Sequence, residues 1–474
     1  MIHKINWIRD VIYDYIFFTN EERKIIDNPW FQRLRRILQL QTSWLVFPNA
    51  VHTRFLHSLG AMHLAGELAN KIYDYFKKVF PHENIPSKNY VVEIFRLAGL
   101  LHDIGHMPFG HMIDDIYTYK YFKKTHEDIS TKIITEELGD IIRTIKSSPH
   151  GYFDETIEPE NIIKFVKFPA NFEQYEFWEV IFSKIMFGIF SADTIDFLLR
   201  DKYFTGLKEI GEINYRLLFD NIFITKRGIT LNSSALFVLR AFLTIRFNMF
   251  KNVYFNEKKR IIEASFSDLL PEIFEIFKLG NIFDNYKKLL LIDDFSLNTK
   301  MREWATEKNK KKNKIGNEWI KIIDYHDFKY KKIYEDEQYI YKLIDNENIL
   351  SKEEIQSKLQ KLLNSDDFII SRNIVDIRDK QLFTIFEGKE DLLTKDDIKS
   401  IAIYDSRNNK FLENEVDIIL NDIPLKYMIL MIMAKKDSKI DFLTKENLND
   451  VQLQLNINLP PVNEKKYRTE ITNV

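Results

Sequence analysis

The chain has 474 residues, 45% of them hydrophobic and 29% charged, with 68 Lys and Arg against 70 Asp and Glu for a net charge of -2. This is the make-up of a globular protein long enough for two or three domains, and its charge balance does not indicate a nucleic-acid partner, although a local basic groove stays open. The absence of cysteine excludes disulfides, thiolate metal sites and cysteine nucleophiles, so a transition metal would be held by imidazole and carboxylate.

The first fifteen residues have no continuous apolar core and no small-residue cleavage site, so no secretory signal is expected. No uninterrupted apolar run reaches about 18 residues, so no membrane partner is expected, and the expected location is the cytoplasm. Residues 55–80 repeat Leu59, Met62, Leu68, Ile72 and Phe76 at helical spacing, and 90–102 do so through Val91, Ile94, Phe95, Ala98 and Leu101. Further helices are predicted over 191–201 and 236–254. A hairpin is predicted from 222–224 to 229–231 around Lys226-Arg227-Gly228. The expected fold class is mainly α, a helical core with small β-hairpin elements and a mixed C-terminal region. Composition shifts near residue 299, which separates an expected core, 1–299, from a regulatory or oligomerisation region, 300–474. The run Lys308 to Lys314 reads as a solvated surface loop or linker, and the tail 461–474 reads as frayed.

Histidine placement carries the first chemical signal. Nine of the 11 histidines fall between His52 and His150, and two segments stand out, His52-Thr-Arg-Phe-Leu-His57 and His102-Asp103-Ile-Gly-His106. His102 ends an apolar helix, so its ring leaves on the buried side and needs a partner. Asp103 adjoins it, and His106 follows one turn later on the same side. Gly105 lets the backbone break there and another group approach. Imidazole plus carboxylate without thiolate suits a catalytic metal with open coordination positions.

His57, then His102-Asp103, then Asp193 resembles the ligand set of the HD-domain superfamily of metal phosphohydrolases. The segments from Phe31-Gln-Arg-Leu-Arg-Arg through Val46-Phe-Pro-Asn-Ala to His57-Ser-Leu-Gly60, and from Leu101 to His111, are similar to one branch of it. That branch is the deoxynucleoside triphosphate triphosphohydrolases, which include bacterial dGTPases and the vertebrate sterile-alpha-motif/HD-domain restriction factor. The resemblance covers roughly residues 7–260. It implies a divalent ion (Mn, Fe, Zn or Mg) on His57, His102, Asp103 and Asp193, with proton handling by His106, Asp114 and His126.

The same resemblance assigns Gln39 and Leu40 to the sugar, where they leave no room for a 2′-hydroxyl. It assigns Arg54 and His111 to the phosphate side, Arg246 to the triphosphate, and Tyr254 to the pocket. Asp201 shares a helix face with Asp193 and Phe197, and is expected to meet substrate. Three positions depart from the branch: Thr194 stands where relatives often have Lys, Phe197 where they have Tyr, and Phe250 where a polar residue is common. Asp27, Gln32 and Arg35 match positions that bind an activating guanine nucleotide at a subunit interface in regulated relatives, but residues 7–14 lack the His-Gly found in those enzymes.

The implied activity is hydrolysis of a deoxynucleoside triphosphate to deoxynucleoside and inorganic triphosphate by a homo-oligomer, in dNTP pool control or antiviral defence. Thr194 and Phe250 keep open an HD-type phosphodiesterase or nucleotidase acting on other nucleotides or single-stranded nucleic acid. A catalytically silent nucleotide-binding assembly protein is the third reading.

Overall fold

The computed structural model describes residues 5–169, 172–277, 280–340, 356–357, 359–360, 367–377, 402–412, 420, 422–438 and 440. They fall into two compact units divided at residue 328, with 339–341 and 375–427 returning to the first.

The first unit opens with an antiparallel hairpin, β1 (Ile5–Asp10) and β2 (Asp14–Thr19), in register from Ile5 opposite Thr19 to Asp10 opposite Asp14. Thr19 then starts α1 (Asn20–Ile26) through a capping box with Glu22. The long helix α2 (Arg54–Val79) buries Phe55, Leu59, Met62, Ala65, Leu68, Ile72 and Phe76 along one stripe, as its spacing predicts. Each such Leu, Ile or Phe contributes roughly 1.5–3 kcal/mol on burial. Helix α3 (Lys88–Leu101) packs on α2, closely enough that a Cβ on Gly99 would lie 2.6 Å from the Ala61 carbonyl oxygen.

Helix α4 (His126–Lys132) lies against the turn after α3, where Gly105 admits it: a Cβ there would stand 2.3 Å from the His126 carbonyl oxygen. Ser191 caps α5 (Ala192–Thr205), and Gly206, at φ +77°, ends it. The predicted hairpin is β3 (Ile222–Thr225) with β4 (Gly228–Asn232), and the strand Ala402–Asp405 joins β4 in parallel. Helix α6 (Leu236–Met249) runs into one wide π turn over Phe250–Tyr254, a feature frequent at functional sites. The stretch Ser233–Tyr254 is long and apolar enough to cross a membrane by length and composition, yet Leu239, Phe242, Leu243, Ile245 and Met249 are all buried inside the unit. After α7 (Glu257–Ser267) come α8 (Asp294–Trp304) and α9 (Lys310–Tyr325), so residue 299 falls within a helix.

The run Lys308 to Lys314 is corrected by the structure. Most of it is the first turn of α9, with the Asn309 side chain accepting from the Lys311 and Lys312 amides. Lysine is a good helix former, and the next turns bury Ile315, Trp319 and Ile322, so the charges are solvated on a helix rather than on a loop.

A three-stranded sheet, most of whose residues belong to the second unit, runs in the order Tyr330–Ile340, Lys426–Lys435, Phe368–Asp376, over a small core of Ile333, Phe368, Ile370, Leu430 and Ile432. The fold is therefore mainly α with small sheets, as the patterning predicts. The tail 461–474 lies outside the described residues.

Candidate metal centre

Three elements bring His57, His102 and Asp193 within reach of one ion, and Asp103, the fourth expected ligand, borders that group beside His102. His57 lies in the first turn of α2, His102 and Asp103 follow the end of α3, and Asp193 lies in the first turn of α5. His57 Nε2 is 3.2 Å from His102 Nε2 and 3.0 Å from Asp193 Oδ1. His102 Nε2 is 3.5 Å from Asp193 Oδ1 and 3.4 Å from Asp103 Oδ1. Donor atoms sharing an ion at about 2.0–2.2 Å stand about 3–3.5 Å apart, so this is the spacing of a first coordination shell.

The hydrogen bonds behind the rings decide what lies between them. His57 Nδ1 donates to Asp196 Oδ2 at 2.8 Å, and His102 Nδ1 donates to the Gly99 carbonyl at 2.8 Å. Each outer nitrogen carries a proton, so the two Nε2 atoms that face each other need a cation between them or a proton on one of them. The field agrees. Burial disfavours charge on His57, but hydrogen bonds to Asp193 and Asp196 carry its pKa up to about 10. Burial would raise Asp103 and Asp193, but the imidazoles, joined by Arg54 at Asp103, hold both well below the usual carboxylate range. The residues fit a divalent metal ion.

Asp196 is the residue that sequence reading passed over. Besides His57 it accepts from Tyr13 (2.8 Å) and twice from Arg200 (2.9 and 3.0 Å), and Arg200 also donates to Asp10 at 2.8 Å. Burial opposes its ionisation, yet Arg200 and His57 lower its pKa to about 2. The signal was present, three residues after Asp193 and one turn before Arg200. Gly60 makes room for it: a Cβ there would fall 1.8 Å from Asp196 Oδ1.

A second cluster adjoins the first. His106 Nε2 lies 3.1 Å from Asp103 Oδ1 while its Nδ1 meets Asp114 Oδ2 at 2.5 Å. His126 stacks on His106 with centroids 3.6 Å apart at 16°, and its Nδ1 is 3.5 Å from the same Asp114 oxygen. Burial, then Arg54, pushes the His106 pKa down to about 3, and burial with His106 nearby holds His126 well below its ordinary value. Burial raises Asp114. His106, His111, Asp114 and His126 lie close enough to hold an ion, but the lone pairs of stacked rings lie in near-parallel planes about 3.6 Å apart, so one ion cannot sit in both planes, and the stack suits proton transfer better.

A cavity of about 390 Å³ is lined by six expected residues, Gln39, Leu40, Arg54, His111, Asp201 and Tyr254, and by Phe197 and Phe250. Arg54 donates to Asp103 Oδ2 at 2.6 Å, joining the cavity wall to an expected metal ligand. Asp201 is engaged on both oxygens, by His52 Nε2 and by the Tyr254 hydroxyl, each at 2.7 Å. Lys259, Arg260 and Glu263 also line the cavity and were missed; they continue from Tyr254 on α7, where their i, i+3 and i+4 charges read as a solvated face.

Arg246 is not among the lining residues; its Nη2 donates to the Asp376 carbonyl at 3.3 Å. Asp27 pairs with Arg23 at 3.0 Å, Gln32 donates to the Ile26 carbonyl, and Arg35 donates to Gln32 while stacking on Phe55 at 3.6 Å.

An HD domain family model matches residues 54–166. An uncharacterized protein of Methanocaldococcus jannaschii is 30% identical over 373 residues, 76% of this chain and 68% of that protein. The chain belongs to the HD-domain family. A deoxynucleoside triphosphate triphosphohydrolase SAMHD1 homolog of Dictyostelium discoideum is 28% identical over 326 residues, 67% of this HD-domain chain and 60% of that protein. The chain spans about three fifths of the length of several curated relatives it matches. In fold it is similar to a crystal structure of a hypothetical protein from Aquifex aeolicus, with TM-score 0.64 and 22% identity, covering 95% of this chain and all of that one.

Proposed function

We propose that this HD-domain protein hydrolyses deoxynucleoside triphosphates to deoxynucleoside and inorganic triphosphate. The observation that carries the reading is the continuity of cavity and centre: Gln39 and Leu40 line a cavity whose Arg54 hydrogen-bonds the ligand Asp103. His57, His102, Asp103 and Asp193 would hold the divalent ion, which when bound supplies Lewis acidity toward phosphate and lowers the pKa of a water. Arg54 offers a forked donor set to phosphate oxygens, with His111 beside it. His106, held by Asp114 and stacked on His126, manages a proton at the leaving oxygen. Leu40 excludes a 2′-hydroxyl by shape while Gln39 reads the 3′-hydroxyl.

Thr194 and Phe197 offer neither an ammonium nor a phenol to the phosphates and sugar, so Arg54 carries more of the anion binding here. The Dictyostelium relative, named a deoxynucleoside triphosphate triphosphohydrolase, supports the substrate class. Assembly as a homo-oligomer, nucleotide activation through Asp27, Gln32 and Arg35, and a role in dNTP pools or antiviral defence belong to the same reading.

Purified protein with Mn²⁺ and each dNTP, its products resolved by chromatography, tests the activity. Deoxynucleoside plus triphosphate is the expected result. Pyrophosphate, a nucleoside monophosphate, or no turnover with any divalent metal overturns it.

A further inference from the structure

The sugar-side segment and the phosphate-side turn of the cavity lie far apart in sequence and meet on one carboxylate. Asp294 starts α8, is 5% exposed, and accepts from the Leu38 amide at 2.9 Å and from the Phe109 amide at 2.7 Å, one on each oxygen. Leu38 directly precedes Gln39 and Leu40, and Phe109 lies two residues before His111. The turn it holds is strained. Phe109 sits at φ +56°, a region that non-glycine residues rarely adopt, and Gly110 follows at +47°. A Cβ on Gly110 would stand 2.4 Å from Arg54 Nη2, so the turn is pressed against the arginine of the cavity wall. Phe109 in turn rests on Trp319 of α9, with ring centroids 5.8 Å apart. Arg33, five residues before Leu38, donates to the carbonyls of His106 (2.8 Å) and Leu289 (2.6 Å), which joins its segment to the turn after α3 and to the approach to α8.

We propose that Asp294 is a positioning residue that sets the spacing between the Gln39–Leu40 wall and the Phe109–His111 turn, and through it the rejection of a 2′-hydroxyl. The clamp stands on the geometry alone, and its effect on sugar selection rests on the reading of the site as a dNTP triphosphohydrolase. A carboxylate offers an acceptor to both amides. An Asn of the same shape keeps one acceptor and turns an NH₂ donor toward the other amide, so one wall is released. Burial lifts the Asp294 pKa to about 7, against the two amide donors and the guanidinium groups of Arg33 and Arg54.

The test compares full-length wild type, Asp294→Asn and Asp294→Ala, loaded with Mn²⁺, by hydrogen exchange, metal content, and kcat/KM for each dNTP against its ribonucleotide. The expected result is loss of amide protection over residues 37–40 and 106–111 together in Asp294→Ala and over at least one of them in Asp294→Asn, unchanged metal content, and a dNTP preference lowered at least tenfold. Protection lost in neither segment, or lost evenly over the whole chain, overturns the clamp. A preference that stays constant while the rates on dNTP and NTP fall together overturns the role in selection. If wild type turns over no dNTP, the functional reading falls by itself, and loss of protection confined to the two segments still upholds the clamp.

Discussion

The Asp196 carboxylate accepts the Nδ1 proton of His57 at 2.8 Å while three other hydrogen bonds, from Tyr13 and Arg200, hold it in place. The metal-facing lone pair of His57 is thus fixed from behind. Asp196→Asn keeps one acceptor for four donors, so either the His57 ring or the Tyr13–Arg200 pair loses its partner, and Arg200 loses its full counter-charge. Metal affinity is expected to fall by about 10- to 100-fold, the usual loss for such a partner. Chelator competition measures it, and an unchanged affinity refutes the orientation argument.

Gly60→Ala probes the same contact from the other side. Its Cβ would overlap Asp196 Oδ1 at 1.8 Å and Arg200 Nη2 at 2.6 Å, so the buried pair has to shift, at a cost of about 1–3 kcal/mol. Both Tm and metal affinity drop. Gly206→Ala is the control. Gly206, at φ +77°, has nothing within 4 Å of its would-be Cβ, so that change lowers Tm modestly through backbone strain and leaves the metal alone.

The helices and the β3–β4 hairpin were legible because each is written in local spacing, whereas the four expected ligands, spread from His57 to Asp193, were suggested only by the family resemblance. Apolar residues at positions 55, 59, 62, 68, 72 and 76 need no tertiary information to define a buried face. Asp294 and Trp319 were not legible, since nothing near them in sequence reveals that they meet Leu38 and Phe109. The lysines at 310–312 were misread because charge density alone does not separate a capped helix start from a loop; Asn309 was the distinguishing residue. Asp201 was seen as a substrate contact, but its bonds to His52 and Tyr254 depend on chain crossings that spacing along α5 cannot reveal.

Acid should loosen the protein through His63. Burial, then Arg96, pushes its pKa down to about 4, below the ordinary value of 6.5. The unfolded chain therefore binds a proton below pH 6.5 that the folded chain refuses. Stability is complete above pH 6.5 and is lost as pH falls toward 4, by up to about 3 kcal/mol. In urea unfolding over this range, with chelator present throughout, His63→Gln should show a shallower loss than its parent. Parallel curves would refute the assignment.

Leu40→Ala tests sugar selection at the wall itself. Leu40 is 6% exposed and lines the cavity. Removing its branched end should raise ribonucleotide turnover relative to dNTP by about tenfold or more, in line with the 1–3 kcal/mol that such steric discrimination carries. Paired kcat/KM values decide it, and an unaltered ratio moves the 2′-hydroxyl filter elsewhere.

The strained turn at Phe109 also imposes an order on the birth of the protein. His57, His102, Asp103 and Asp193 have all left the ribosome about a hundred residues before Asp294, which at about 5–20 residues per second is an interval on the order of ten seconds. Through that interval the nascent chain has every expected metal ligand but neither the carboxylate that receives the Phe109 amide nor the Trp319 ring beneath it. Ligation can thus precede closure of the cavity, since the metal-facing residues are complete while the walls still lack the groups that set their working distance.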